Sequence, residues 1–321
     1  MALQSSGSIS LNQIHVEAGG SSGSGATIND ADIRGLINKA SEAQMSFNEW
    51  YGASAETVLT SGGNVNGQAQ RKQISVSSFI SSGETFRIPS NMWVWSDNTS
   101  VAALTIDIPC TVINDGKIIG KGGEGGWGFS SIGPTAGGPA INVTSSGVTI
   151  TNSSGAYIAG GGGGGGAYSD YSNPSDAHAG GGGGAGGGKG GRGRTNSGYW
   201  HQGSGGALNA SGATGGNGSG GAGGGAGGAG GGHQGGAGGG GRILPGVGGG
   251  VGSYSSNGDG GSAGNAGVSG GPYVYSVAGG GGGWGAAGGL GGGRYAGATG
   301  GAAIQGTSRT LNNSGTIYGS T

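Results

Sequence analysis

Val112-Ile113-Asn114-Asp115-Gly116-Lys117-Ile118-Ile119-Gly120 runs directly into Lys121-Gly122-Gly123. The same shape returns as Ile150-Thr151-Asn152-Ser153-Ser154-Gly155-Ala156-Tyr157-Ile158-Ala159, which runs into Gly160–Gly166. It returns again as Leu311-Asn312-Asn313-Ser314-Gly315-Thr316-Ile317-Tyr318-Gly319 near the C-terminus. Each copy has an apolar residue or pair, an Asn-containing turn that ends in Gly, and a second apolar pair. Asn and Gly tolerate the left-handed backbone of tight turns, so each copy reads as a hairpin-like corner. Regular strands that flank long insertions describe a frame, and internal repetition of this kind favours architecture over catalysis.

The insertions are glycine. The chain has 321 residues and 94 glycines, all but 11 of them beyond residue 111. So much glycine cannot build an ordinary hydrophobic core. Collagen is excluded, because Gly160–Gly166 is continuous and no strict three-residue period survives. Two readings remain. One is a disordered tether, since glycine loses the most backbone entropy on ordering. The other is a bundle of polyproline-II-like helices whose bare backbones approach closely enough to bond one another. Ordering a glycine costs at least ~1–2 kcal/mol and one net hydrogen bond returns about 0.5–1.5. A glycine helix surrounded by neighbours therefore breaks even where one on the edge loses. The ordered bundle is favoured, because the glycine runs alternate with segments unlike linkers.

Upstream, residues 61–111 read as β. Ile74/Val76, Phe86/Ile88, Trp93/Trp95 and Leu104/Ile106/Ile108 alternate with a period of two. This reads as a compact apolar core and the last one in the chain. Residues 1–60 read as a small separate module. Ile9, Leu11, Ile14 and Val16 suggest a strand. A helix follows through Asp30, Ile33, Leu36, Ile37 and Ala40, capped by Thr27 or Asn29, and a second strand-like patch holds Met45, Phe47, Trp50 and Tyr51. The expected fold is therefore mainly β plus a glycine-helix bundle, with a small α/β module in front. Its divisions are 1–60, 61–111 and 112–321.

Between the glycine runs lie segments rich in Tyr, Trp, Ser and Asn, the composition of antibody loops. They nominate Tyr168, Tyr171, His178, Tyr199, Trp200, His201, Tyr254, Tyr273, Tyr275 and Tyr295 as binding residues. The rival reading is that such aromatics only fill gaps left by glycine, and it is favoured for Trp127 and Trp284. Chemistry is absent by pattern. His15, His178, His201 and His233 sit in no metal motif, and Gly190 follows Lys189 where a phosphate loop needs Ser or Thr. No enzyme activity, cofactor or metal is expected. The formal charge of −1, with only Lys189, Arg192 and Arg194 clustered, argues against nucleic acid. Cys110 follows Pro109 in an apolar run and reads as a buried free thiol. No apolar stretch reaches the ~20 residues of a membrane span, and Met1–Ser10 lacks a signal-peptide pattern. The chain is expected to be made without a signal peptide and, if it acts outside the cell, to leave by lysis.

Ser8-Ile9-Ser10-Leu11-Asn12-Gln13-Ile14, Ile28 to Arg34, and Met45 to Ala53 resemble the starts of tailed-phage structural proteins. Thr111 to Gly126 and Ile141 to Gly166 resemble glycine-rich tail-fibre adhesins with polyglycine II helices. The resemblance implies a virion protein that binds a bacterial surface receptor, either an outer-membrane protein or a glycan. It also implies contact with other phage tail proteins through Ile9, Leu11, Ile14, Ile33, Phe47, Trp50 and Tyr51, and a homotrimer, as fibres commonly are. The competing function is a purely structural tail or baseplate component without receptor contact.

Overall fold

The computed structural model describes residues 3–37, 39–53, 56–128, 131–168, 179–194, 200–212, 239–244, 258–270, 278–292, 295–306 and 308–321. The front of the chain is helical where strands were expected. Helix α1 (Leu11–Glu17) starts at a capping box. The Ser10 hydroxyl accepts from Gln13 N–H and the Gln13 side chain accepts from Ser10 N–H at 2.8 Å. That reciprocal pair satisfies two amides that would otherwise lack partners, and it outweighs the imperfect alternation of Ile9, Leu11, Ile14 and Val16. Helix α2 (Ala31–Gly35) ends at Gly35, five residues short of the expected Ala40. Its N-cap is Asp30, whose carboxylate accepts from the Thr27 amide and hydroxyl. The second expected strand is a 3-10 turn over Phe47–Trp50, capped by Ser46. Ile14, Ile33 and Trp50 are fully buried together, and Ile9, Ile28 and Met45 pack around them.

The rest of the frame is a coil. Strands β1 (Glu56–Val58), β2 (Asn64–Val65) and β3 (Gln68–Lys72) open it. The next turn is β4 (Ile74–Ser75), β5 (Thr85–Ile88) and β6 (Met92–Trp95). Then follow β7 (Leu104–Ile106), β8 (Thr111–Asn114) and β9 (Lys117–Ile119). A further turn holds β10 (Ile141–Val143), β11 (Val148–Asn152) and β12 (Tyr157–Ala159). After a short antiparallel pair, β13 (Gly193–Arg194) and β14 (Trp200–His201), the last turn is β15 (Ile304–Gly306), β16 (Arg309–Asn313) and β17 (Thr316–Tyr318).

From β4 onward every turn visits three sheets in the same order, giving β4-β7-β10-β15, β1-β5-β8-β11-β16 and β2-β3-β6-β9-β12-β17, with β1, β2 and β3 joining the last two sheets only. All pairings in these sheets are parallel except β2 with β3. The result is a three-sided β-solenoid, and the fold is mainly β as expected. The repeated motif is its corner, not a hairpin: β8, β11 and β16 lie in one sheet while β9, β12 and β17 lie in the next. Val112, Ile150 and Leu311 stack in register, as do Ile118, Ile158 and Ile317. The middle copy is two residues longer between its asparagine and the strand that follows, and Gly155 in that longer corner sits at φ +81°. At Gly116 and Gly315 a Cβ would instead meet the adjoining coil, 2.5 Å from the Met92 carbonyl and from the Asn152 amide respectively.

The apolar core does not end at residue 111. Phe86, Val94, Leu104, Ile106, Val112, Ile118, Ile141, Ile150, Ile158 and Ile304 form one buried column inside the coil. Strands before and after residue 111 share all three sheets, because period-two patterning fills the interior turn after turn. Cys110 is buried in this column, and burial pushes its thiol up to about 11.

The glycine insertions leave the coil after β9 and β12. Gly160–Gly166 is the innermost run, and its hydrogen bonds follow a three-residue period. Gly161 and Gly164 donate to Gly138 and Thr135, at 2.9 and 3.0 Å. Gly162 and Gly165 donate to Ala185 and Gly182, both at 2.8 Å, and Gly163 and Gly166 to Ala286 and Gly289, both at 2.9 Å. Three further segments donate back, from Gly123 and Gly126, from Gly279 and Gly282, and from Ala298 and Gly301. A Cβ at Gly161, Gly163, Gly164 or Gly166 would lie 1.9 Å from a neighbouring carbonyl oxygen. No residue larger than glycine fits there.

Candidate functional site

The glycine segments have two ends. At one, Ala185, Leu208 and Trp284 pack on Trp93, Ile119 and Ala159, on the outer face of the β6-β9-β12 sheet. The buried Arg242 guanidinium lies 4.6 Å from the Trp95 ring and donates to the Gly186 carbonyl at 2.9 Å. Lys121 donates to the Gly187 carbonyl. Burial, reinforced by the charge of Arg242, lowers the Lys121 ammonium to about 8. The glycine body is thus fastened to the solenoid by aromatic surface and desolvated cations, and Trp284 is a packing residue as expected.

At the opposite end stand the residues that flank the polar-aromatic segments. Tyr168 and Ala179 are bridged, with Tyr168 N–H on the Ala179 carbonyl at 3.0 Å, and both are buried beside Ala278. Gly193 and Arg194 pair with His201 and Trp200. Gly270 bonds Leu290 at 2.9 Å, and Gly291 N–H reaches the Tyr295 carbonyl at 3.0 Å. Gly128 bonds the Arg192 carbonyl at 2.9 Å, and the Trp127 N–H donates to the Ile132 carbonyl at 3.0 Å. The Arg192 guanidinium lies 4.5 Å from the Trp127 ring. Lys189, one three-residue step back, faces Glu124 at 3.8 Å.

Of the expected binding residues, Tyr168 is 9% exposed and serves mainly to close the bundle. Tyr295 is half-buried, with its ring beside Gly133. The backbones of Trp200 and His201 lie in β14 at the same end. Tyr171, His178, Tyr199, Tyr254, Tyr273 and Tyr275 lie outside the described residues. The Trp127–Arg192 pair and exposed Ile132 were not singled out, since a tryptophan between glycines reads as filler. In the front module Ile14, Ile33 and Trp50 are its own core, while Phe47 is 44% exposed and Leu11 and Tyr51 are half-buried. Beside Tyr51 a pocket of about 410 Å³ is lined by Leu36, Ile37, Lys39 and Glu49, the last two ion-paired at 3.1 Å.

The family model described as phage tail fibre adhesin Gp38 matches residues 55–233, more than half of the chain. The chain belongs to this family. It is a receptor-binding tail-fibre adhesin, a component of the phage tail. The adhesin also matches a chain in the crystal structure of the gp37–gp38 adhesin tip complex of the bacteriophage S16 long tail fiber. That match covers 99% of each chain at 19% identity with a TM-score of 0.50, a likeness of fold. No curated protein sequence matches the adhesin. Among the described residues no helix is long and apolar enough to cross a membrane.

Proposed function

We propose that the adhesin meets its receptor at the end of the glycine body away from the solenoid. The glycine segments pack there as polyglycine-II-type helices, and the segments around 168–178, 195–202, 254 and 271–277 form the contact surface. One observation supports this reading: Tyr168 pairs with Ala179, Arg194 with Trp200, Gly270 with Leu290, Ala278 with Gly258 and Gly291 with Tyr295, all at the end away from the solenoid. The three-residue hydrogen-bond period around Gly160–Gly166 supports the helix type. There each inner glycine both donates and accepts, which is one shared bond per residue, so about 0.5–1.5 kcal/mol of bonding stands against ~1–2 kcal/mol of ordering, with close Cα–H contacts adding to it. A rigid body that carries variable segments at one end suits recognition, since the scaffold holds still while the segments differ.

Residues 1–60 are proposed as the attachment module, with Phe47, Leu11 and Tyr51 offering the apolar surface and Ile9, Ile14, Ile33 and Trp50 holding it in shape. Residues 61–111 are proposed as the first part of the frame, which the strands within 112–321 complete, and the glycine segments of 112–321 as the receptor-binding body. The S16 complex pairs gp38 with gp37, so a fibre protein of the gp37 kind is the proposed partner. The receptor is an outer-membrane protein or a glycan. A homotrimer would have to be held outside the solenoid interior, which one chain already fills.

The test exchanges residues 168–178, 199–202 or 272–277 for those of a related phage and scores adsorption on a strain panel. Host range should follow the exchanged segment while thermal unfolding stays unchanged. Adsorption that ignores all three exchanges contradicts the reading.

A further inference from the structure

Among the described residues, the far end of the glycine body carries a cation, Arg192, that no carboxylate neutralises. Lys189 faces Glu124, Lys72 faces Asp97 and Arg87 bridges Glu56 and Asp115. Arg242 is buried and Lys121 is spent on a carbonyl. Arg192 is exposed, and no carboxylate pairs with it among the described residues. It is nonetheless held. Its carbonyl accepts from Gly128 N–H, the preceding Gly191 N–H bonds Gly181 at 2.7 Å, and its guanidinium lies 4.5 Å from the half-buried Trp127 ring. Stacking fixes the plane of a guanidinium and leaves its edge N–H groups available, the geometry that binds a carboxylate with two parallel bonds. The entropy of ordering a long side chain is thereby met before any ligand arrives. The surroundings are apolar. Ile132, 46% exposed, accepts from the Trp127 N–H through its carbonyl, and the Tyr295 ring lies beside the adjoining Gly133. A fixed arginine rimmed by aliphatic and aromatic surface is the composition of a protein–protein anchor.

We propose that Arg192, held by Trp127, is a specificity-determining contact for a carboxylate in an acidic peptide loop on the host surface. This rests on the reading that the far end meets the receptor. The test measures binding of the full-length, fluorescently labelled adhesin to cells of its host strain, untreated and after surface proteolysis. Arg192→Ala should weaken binding by about thirtyfold or more, and Arg192→Glu should abolish it. Arg192→Lys should recover only part, because an ammonium cannot make the paired bonds. Lys189→Ala, which removes a neighbouring but paired cation, should bind as the parent does. All four should share the parent's thermal midpoint, since Arg192 is exposed, and proteolysed cells should bind none of them. Parent-like binding by Arg192→Ala and Arg192→Glu would overturn the proposal and leave the far-end reading standing, to be judged by the segment exchanges. Binding that survives proteolysis but fails on cells with truncated surface glycan would overturn the peptide ligand in favour of an anionic sugar.

Discussion

Asn114 and Asn152 occupy equivalent corners of successive coils, and the Asn114 side-chain amide donates to the Asn152 side-chain oxygen Oδ1 at 2.8 Å. Asn152 donates in turn to Asn313 at 2.8 Å, and the first two side chains are fully buried. The asparagine ladder therefore sets the register of the corner while satisfying groups that no water reaches. Asn152→Ala should lower stability by about 2–3 kcal/mol, because it strands a buried donor. Asn313→Ala, at the exposed end of the ladder, should cost under about 1 kcal/mol. Denaturant unfolding of the two variants checks the ranking.

Glycines in this chain differ in what they do, and alanine substitution should separate them. At Gly164 a Cβ would sit 1.9 Å from the Glu124 carbonyl oxygen, so Gly164→Ala should cost about 3 kcal/mol or more and reduce soluble yield. Gly155→Ala meets no atom but keeps a φ of +81°, a strain of about 1–2 kcal/mol. Gly25→Ala meets neither obstacle and should be neutral or stabilising by about 0.4–1 kcal/mol.

Amide exchange distinguishes a packed glycine bundle from a glycine tether. The amides of Gly161 to Gly166, each bonded to a neighbouring segment, should exchange as slowly as those of β8 and β11. Exchange at the free-chain rate would contradict the packing.

Trp284 joins the two halves, fully buried against the solenoid face with its indole N–H on the Ile243 carbonyl at 3.3 Å. Trp284→Ala should cost about 3–5 kcal/mol. The loss should appear in calorimetry as early melting of the glycine body, since the interior column of the solenoid does not include this residue.

Lys121 gives stability a pH dependence of definite sign. Burial lowers its folded value to about 8 from 10.5, so between these values the unfolded chain holds more protons than the folded one. Stability from this group should therefore rise with pH from about 8 toward 10.5. Below 8 both states are charged and the burial penalty stands in full. Lys121→Met should raise stability near pH 7 and flatten the alkaline rise, as read from thermal midpoints across pH 7–10.

The corner motif was legible because three copies keep their apolar spacing around an asparagine. Their stacking was not, since the partners of Val112, Ile150 and Leu311 are separated by insertions that carry no apolar signal. The interior column was underestimated for the same reason: a few apolar residues per strand look sparse in sequence yet fill a coil. In the front module the Ser10–Gln13 capping box was present in the sequence and decided for helix, but alternation of apolar residues drew the reading to strand. The anchor role of Tyr168 and the pairing of Trp127 with Arg192 depend on which glycine segments lie side by side, and glycine itself encodes no such choice.

The central claim is that receptor contact lies at the glycine body's far end. Hydroxyl-radical footprinting of the full-length adhesin, with and without outer-membrane vesicles of its host, tests it most directly. Protection is expected at Trp127, Ile132 and Tyr295, with Phe47 and Val58 labelled equally in both samples. Protection of Phe47 or Val58 with none at Trp127, Ile132 and Tyr295 would contradict the account.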